Sequence, residues 1–130
     1  GVQTCALPIY FSSPQTVQRN LTAEYSYPNN LATNAWALSG KWQIQGKYIV
    51  AMAPNASIKL HFQAAKVFAV MGSENAPIKL IIRTKVGDRS LTVGGSKLYT
   101  ILENPTQENE TIEIISTQSG LRLYTFTFGD

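Results

Sequence analysis

His61 is the single histidine of this chain, and histidine is the side chain best suited to act as a general base or a neutral metal ligand near neutral pH. It stands in the run Ser57-Ile-Lys-Leu-His-Phe-Gln63, between Lys59 and Gln63 on the polar side. A nucleophile triad would need a carboxylate to orient it and a Ser or Cys on a strained turn. No Gly-x-Ser-x-Gly turn occurs. A transition-metal site needs three or four ligands, and one His with one Cys, Cys5, does not supply them. The carboxylates are Glu24, Glu74, Asp88, Glu103, Glu108, Glu110, Glu113 and Asp130. Glycoside hydrolysis would need two of them facing each other at roughly 5–10 Å, and no spacing here forces a pair together. Calcium would need an oxygen-rich loop, and no Asp-rich loop is present. The residues therefore predict no catalytic constellation, no metal site and no cofactor.

The aromatic residues are better candidates. Sugar rings present C–H faces that stack on flat aromatic groups, with amides and charges close by for their hydroxyls. Trp36, Tyr48 and Tyr99 are the candidate platforms, with His61 as a hydrogen-bonding neighbour. The competing role is structural, because Trp and Tyr in a small domain commonly fill or cap the core. Trp42 reads as core, and Trp36 stays open between core and site. Tyr124, Phe126 and Phe128 alternate along the last apolar run and read as one core face.

These side chains must be positioned by strands. Ser57–Gln63 alternates with Ile58, Leu60 and Phe62 on one face, the period of a half-buried strand. Ala65–Met71 is apolar on both faces except for Lys66 and predicts a central strand covered on both sides. Further runs are Trp36–Ile44 with a bend at Gly40, Lys47–Ala53, Ile78–Thr84, Leu91–Val93, Lys97–Leu102, Glu110–Ser116 and Leu121–Phe128. Gly72–Pro77, Gly87–Ser90 and Gly94–Ser96 read as turns, and Glu103–Asn109, with Pro105, as a polar loop. About eight short antiparallel strands at ~10-residue spacing, with no helical period, predict an all-β sandwich or barrel. Residues 10–34, broken by Pro14 and Pro28, form an extended lead-in with a turn at Pro28-Asn-Asn30; residues 35–130 are the β-module.

Composition narrows the function class. The chain has 130 residues, 44% hydrophobic and 15% charged, which fits one globular domain with a single core. The net charge of +3 comes from scattered Lys and Arg, unlike a phosphate-tracking patch, so nucleic acid is not an expected partner. No apolar run approaches the ~20 residues of a membrane span. No Cys-x-x-Cys occurs, so a thioredoxin-like redox site is not on this chain. Gly1–Ile9 lacks the pattern of a secretory signal and reads as a segment foreign to the domain, derived from a sequencing adapter, with a genuine N-terminal strand as the alternative. The sequons at Asn20, Asn55 and Asn109 fall in or near the turns and assign no function.

Three segments carry a family resemblance: Trp36-Ala-Leu-Ser-Gly-Lys-Trp42, Phe62-Gln-Ala-Ala-Lys-Val67 and the terminal Leu121-Arg-Leu-Tyr-Thr-Phe-Thr-Phe-Gly-Asp130. Together they resemble the C-terminal module of DipZ-type proteins, over Tyr10 to Gly129. In that family a membrane-embedded electron-transfer domain of the cytochrome c biogenesis type precedes a thioredoxin-like domain, and a β-sandwich similar to carbohydrate-binding modules follows. The resemblance implies a jelly-roll sandwich. It also implies a non-catalytic accessory module on the extracytoplasmic side, periplasmic or cell-envelope, of a thiol–disulfide oxidoreductase. The adjacent thioredoxin-like domain is then a partner, and a glycan or an extracytoplasmic protein a second one. A purely structural interdomain module and a small β-fold hydrolase remain the alternatives.

Overall fold

The computed structural model describes the backbone of residues 2–5 and 10–129 and the side chains of residues 11–129. Gly1, residues 6–9 and Asp130 lie outside the described residues, and with them falls most of the stretch read as foreign. The described residues form ten strands and no helix. They are β1 (Val2–Cys5), β2 (Tyr10–Phe11), β3 (Thr22–Tyr25), β4 (Ala35–Ile44), β5 (Ile49–Ala51), β6 (Ala56–Ser73), β7 (Ile78–Thr84), β8 (Gly87–Val93), β9 (Lys97–Ser116) and β10 (Leu121–Gly129). Eight follow one hydrogen-bonded path, β1-β10-β5-β4-β6-β9-β7-β8, while β2 and β3 add to β4. The strand pairs are antiparallel except β2 on β4.

The all-β content matches the alternation in the sequence, and the pairing closes part of the sheet on itself. β10 pairs with both β5 and β6, and β4 pairs with both as well, so these four strands close a hydrogen-bonded ring. Closure removes free edges from that part of the fold. The cause is the length of β6. Its 18 residues serve β4 with one half and β10 with the other.

Two predicted strands, Ser57–Gln63 and Ala65–Met71, are thus one strand with an irregularity where the ladder shifts between Ala64 and Lys66. On the first half Ile58, Leu60, Phe62 and Ala64 are buried; on the second, Ala65, Val67, Ala69 and Met71. One extra residue switches the parity of every side chain that follows it. The second half is not covered on both sides as predicted, because Lys66, Phe68 and Val70 are only half-buried on its outer face.

Other boundaries shift for related reasons. The predicted polar loop Glu103–Asn109 is the middle of the 20-residue β9. Its register passes from Glu103 to Glu108 while β6 passes from Lys66 to Ala64, so residues 104–107, Pro105 among them, bulge out of the ladder. Gly87–Ser90, read as a turn, begins β8, and Thr84 with Gly87 closes the hairpin instead. Lys47–Ala53 shortens to Ile49–Ala51. The register shift between Leu123 and Thr125 separates Tyr124 from Phe126 and Phe128, which corrects the single face predicted for all three.

The lead-in is drawn into the sheet. β3 pairs Thr22–Tyr25 with Gln43–Gly40 of β4, where Gly40 takes a φ of 89° to bend the strand. Phe11 packs edge-on against Tyr25 at 5.8 Å and tilts against Trp36 at 4.8 Å. The buried Ser13 hydroxyl accepts from Leu38 N at 2.9 Å and donates to Leu38 O at 3.0 Å. The core runs through Trp42, Phe62, Phe126, Leu38, Ile58, Leu60 and Ile82, all at 1% exposure or less. Each such side chain contributes about 1.5–3 kcal/mol on burial.

Candidate functional site

Cross-strand register builds one row across the outer face of β4, β6, β9, β7 and β8. Ala37 lies opposite Lys59, Lys59 opposite Glu113, Glu113 opposite Arg83 and Arg83 opposite Asp88. Beside this row, His61 lies opposite Thr111. The segment 27–31, where the sequence predicts a turn, bends at Asn29, with the turn proper at Thr33–Asn34; it hangs over the row and brings Tyr27, Asn29 and Asn30 to it. The result is two adjoining hollows that share Lys59 and Thr111. One, about 330 Å³, lies under the 27–31 segment and is lined further by His61 and Ala37. The other, about 440 Å³, runs on to Arg83, Lys85 and Glu113.

The groove walls are cross-linked. The Tyr27 hydroxyl donates to Glu113 Oε2 at 2.8 Å and lies 2.5 Å from Ser57 Oγ, whose own proton can turn toward it. Burial, followed by the Glu113 carboxylate that accepts its proton, lifts the Tyr27 phenol well above the usual tyrosine range despite the Ser57 contact. Arg83 Nη1 reaches Glu113 Oε1 at 3.4 Å and its Nε reaches Asp88 Oδ1 at 3.2 Å. Asp88 first, then Glu113, holds this exposed guanidinium above its ordinary range. Lys85 Nζ pairs with Glu108 at 3.2 Å. Lys59 Nζ stands 4.6 Å from the centroid of the Tyr27 ring, a cation–π placement.

His61 is a wall of this groove with both ring nitrogens engaged. Nδ1 donates to Leu31 O at 2.6 Å, and Nε2 lies 2.6 Å from Asn109 Oδ1. These contacts tie the 27–31 segment and β9 to β6. Neither partner is a carboxylate or a nucleophile, so the geometry of a triad is not assembled around it.

The other three sequence candidates lie elsewhere. Trp36 is 5% exposed against Phe11, so burial corrects its role as a stacking platform. Its Nε1 is the one buried side-chain polar atom without a partner among the described residues. Tyr99 is 7% exposed. Its hydroxyl donates to Gly95 O at 2.8 Å and accepts from Gly94 N at 3.0 Å, so it fastens the Gly94-Gly95 turn and offers no open face. Tyr48 is half-buried in a separate cluster, with Tyr124 at 5.3 Å and the Arg122 guanidinium 4.7 Å over its ring. Arg122 is held in turn by Glu74 at 2.8 Å. Hydrogen bonds from Ser96 and Arg122 lower the Tyr124 pKa.

Of the four, only His61 lines the groove. Sequence reasoning missed Tyr27, Lys59, Thr111, Glu113 and Arg83 as a group. Each had a local signal, since Lys59 and Glu113 alternate with buried aliphatic residues, but no local signal brings them together.

The family model described as the thioredoxin-like C-terminal domain matches residues 7–129, and the chain belongs to that family. It is 27% identical over 109 residues to protein DipZ of Mycobacterium bovis, covering 83% of this chain and 15% of that protein, and it matches protein DipZ of Mycobacterium tuberculosis to the same extent. The resemblance noted in the sequence is thus met, and the chain spans only 15% of the length of the curated relatives it matches. Among solved structures, a family two carbohydrate esterase from Cellvibrio japonicus matches with a TM-score of 0.72 and 12% identity, over 98% of this chain and 33% of that one. That likeness is one of fold alone. A family 6 carbohydrate-binding module, 13% identical over 98% of this chain and 92% of its own, reaches a TM-score of 0.49, too slight to bear on the fold.

Proposed function

We propose that this chain is a non-catalytic accessory module of an extracytoplasmic DipZ-like thiol–disulfide redox protein, and that it binds a glycan in the groove around Lys59. The observation that carries the reading is the row of polar groups fixed on rigid strands and capped by the 27–31 segment. Asn29, Asn30, Thr111 and Lys59 supply amides, a hydroxyl and a charge around two adjoining hollows of about 330 and 440 Å³. Each is large enough for a small ligand unit, and together they suit a chain molecule crossing the strands. Family membership and the DipZ relatives support the redox parent and its envelope location. A jelly-roll order of the strands belongs to the same proposal.

The test is affinity electrophoresis of the chain in gels containing envelope and plant polysaccharides. Retardation by at least one polymer is expected, and it should be lost in Asn30→Ala combined with Tyr27→Ala. Unchanged migration in every gel would remove glycan binding.

A second reading has its own support. Val70 lies opposite Leu98, next to Phe68, on the outer face of the other half of β6 and β9, and Leu98 is 54% exposed. We infer that this apolar strip packs against the adjacent thioredoxin-like domain of the parent protein. Addition of that domain in trans should perturb the NMR signals of Phe68, Val70 and Leu98. Perturbation confined to the groove would contradict this docking.

A further inference from the structure

Resting on the glycan reading of the groove, we propose that its ligand is an acidic polysaccharide, one carrying single carboxylates as in uronic acid units, with Lys59 Nζ as the counter-charge. A site for neutral sugar rings needs an open aromatic face, and Tyr27 is the aromatic residue lining these hollows. Its ring carries the Lys59 ammonium at 4.6 Å and its hydroxyl is committed to Glu113. Stacking is thus restricted, and hydrogen bonding and charge are left to hold a ligand.

The charges are unequal. Arg83 is shared by Asp88 and Glu113, and Lys85 is paired with Glu108. Lys59 has no carboxylate within ion-pair distance among the described residues. Glu113 is its direct cross-strand neighbour, yet that carboxylate is already taken by Tyr27 and Arg83. Lys59 is half-buried and lines both hollows. A partly desolvated ammonium without a counter-ion favours an incoming anion more than an exposed one does. One uncommitted cation suits one carboxylate. A sulfate-rich or phosphate-rich chain would call for several free cations or a bidentate arginine.

The probes are polygalacturonate and the same polymer fully methyl-esterified, measured by isothermal titration with the 130-residue chain. Polygalacturonate should bind, and the ester should bind about tenfold more weakly or not at all, the difference a hydrogen bond to a charged group makes. Lys59→Met should erase that preference while Lys59→Arg keeps most of it. Lys97→Met, a lysine outside the groove, should leave it unchanged, and all three variants should melt near the parent temperature. Equal binding of ester and acid, with Lys59→Met silent, would overturn the acidic ligand and leave the groove standing. Loss of binding in Lys97→Met as large as in Lys59→Met would overturn it in favour of diffuse charge attraction. No binding by either polymer, with a neutral glycan retarded in the gels, would also overturn it. No binding by any polymer would remove the groove reading itself.

Discussion

The two halves of β6 and β9 are built from the same two strands, yet they show opposite outer surfaces. In the first half Lys59, His61 and Gln63 face outward from β6, opposite Glu113, Thr111 and Asn109 of β9. In the second, Phe68 and Val70 face outward, opposite Thr100 and Leu98. Both halves bury the same kind of inner face. The difference arises at the irregularity near Ala64 and Ala65, both buried, where two consecutive residues point inward and the parity resets. A bulge thus lets one strand pair serve a polar groove and an apolar strip without breaking its ladder. It also lets β6 leave β4 and join β10, which closes the ring.

The sharpest way to break this comparison is insertion of one alanine after Ala65. It should reverse the parity of β6 beyond that point and drive Val67, Ala69 and Met71 outward. Loss of cooperative folding is expected, since each buried aliphatic chain is worth about 1.5–3 kcal/mol, and circular dichroism on heating would show it. A normal melt with an intact groove would mean that the irregularity absorbs the added residue without changing the faces beyond it.

Phe62 stands where the halves meet, 1% exposed and 6.2 Å from the Phe128 ring. Phe62→Ala should cost about 3–5 kcal/mol in denaturant titration. A loss below about 1 kcal/mol would show that the halves do not share one core.

Gly72 closes the second half against the Gly94–Ser96 turn. A Cβ there would collide with Ser96 Oγ and come within 3.1 Å of Ser96 Cα. Gly72→Ala should therefore destabilise by about 1–3 kcal/mol, with part recovered in a Gly72→Ala, Ser96→Gly double variant.

The smallest effect belongs to the first half. The Tyr27 phenol is raised in the folded chain, so its contribution is complete below its unfolded pKa of about 10 and declines as pH climbs above that value. Melting temperature should fall between pH 9 and pH 11, and Tyr27→Phe should flatten that fall by about a degree or two. An identical alkaline slope in both proteins would show that Tyr27 is not the group responsible.

Much of this was legible locally. The alternation of Ile58, Leu60 and Phe62 gave a strand and its inner face. The bend at Gly40 follows from residue type, as backbone preference allows, whereas the turn predicted at Pro28-Asn-Asn30 is only a bend at Asn29, with the turn at Thr33–Asn34. The limits were at bulges. Glu103–Asn109 is polar and carries Pro105, the composition of a loop, but tertiary pairing on both sides keeps it in β9. Tyr124 shares its spacing with Phe126, yet a register shift places it beside Tyr48 instead. Composition cannot announce such shifts, because they depend on the partner strand.

The sequence by itself determined an all-β chain, its inward faces, its family and the absence of a Cys-x-x-Cys dithiol. These follow from side-chain period and residue identity, which act over a few neighbouring residues. Only the tertiary structure decided that Tyr27, Lys59, His61, Glu113 and Arg83 share one groove, while Trp36 and Tyr99 are spent on packing. Tyr27 and Glu113 are 86 residues apart in the chain and 2.8 Å apart in space. Their meeting is set by strand register across β4, β6 and β9, and a ladder fixes register only once all its strands have closed on the core.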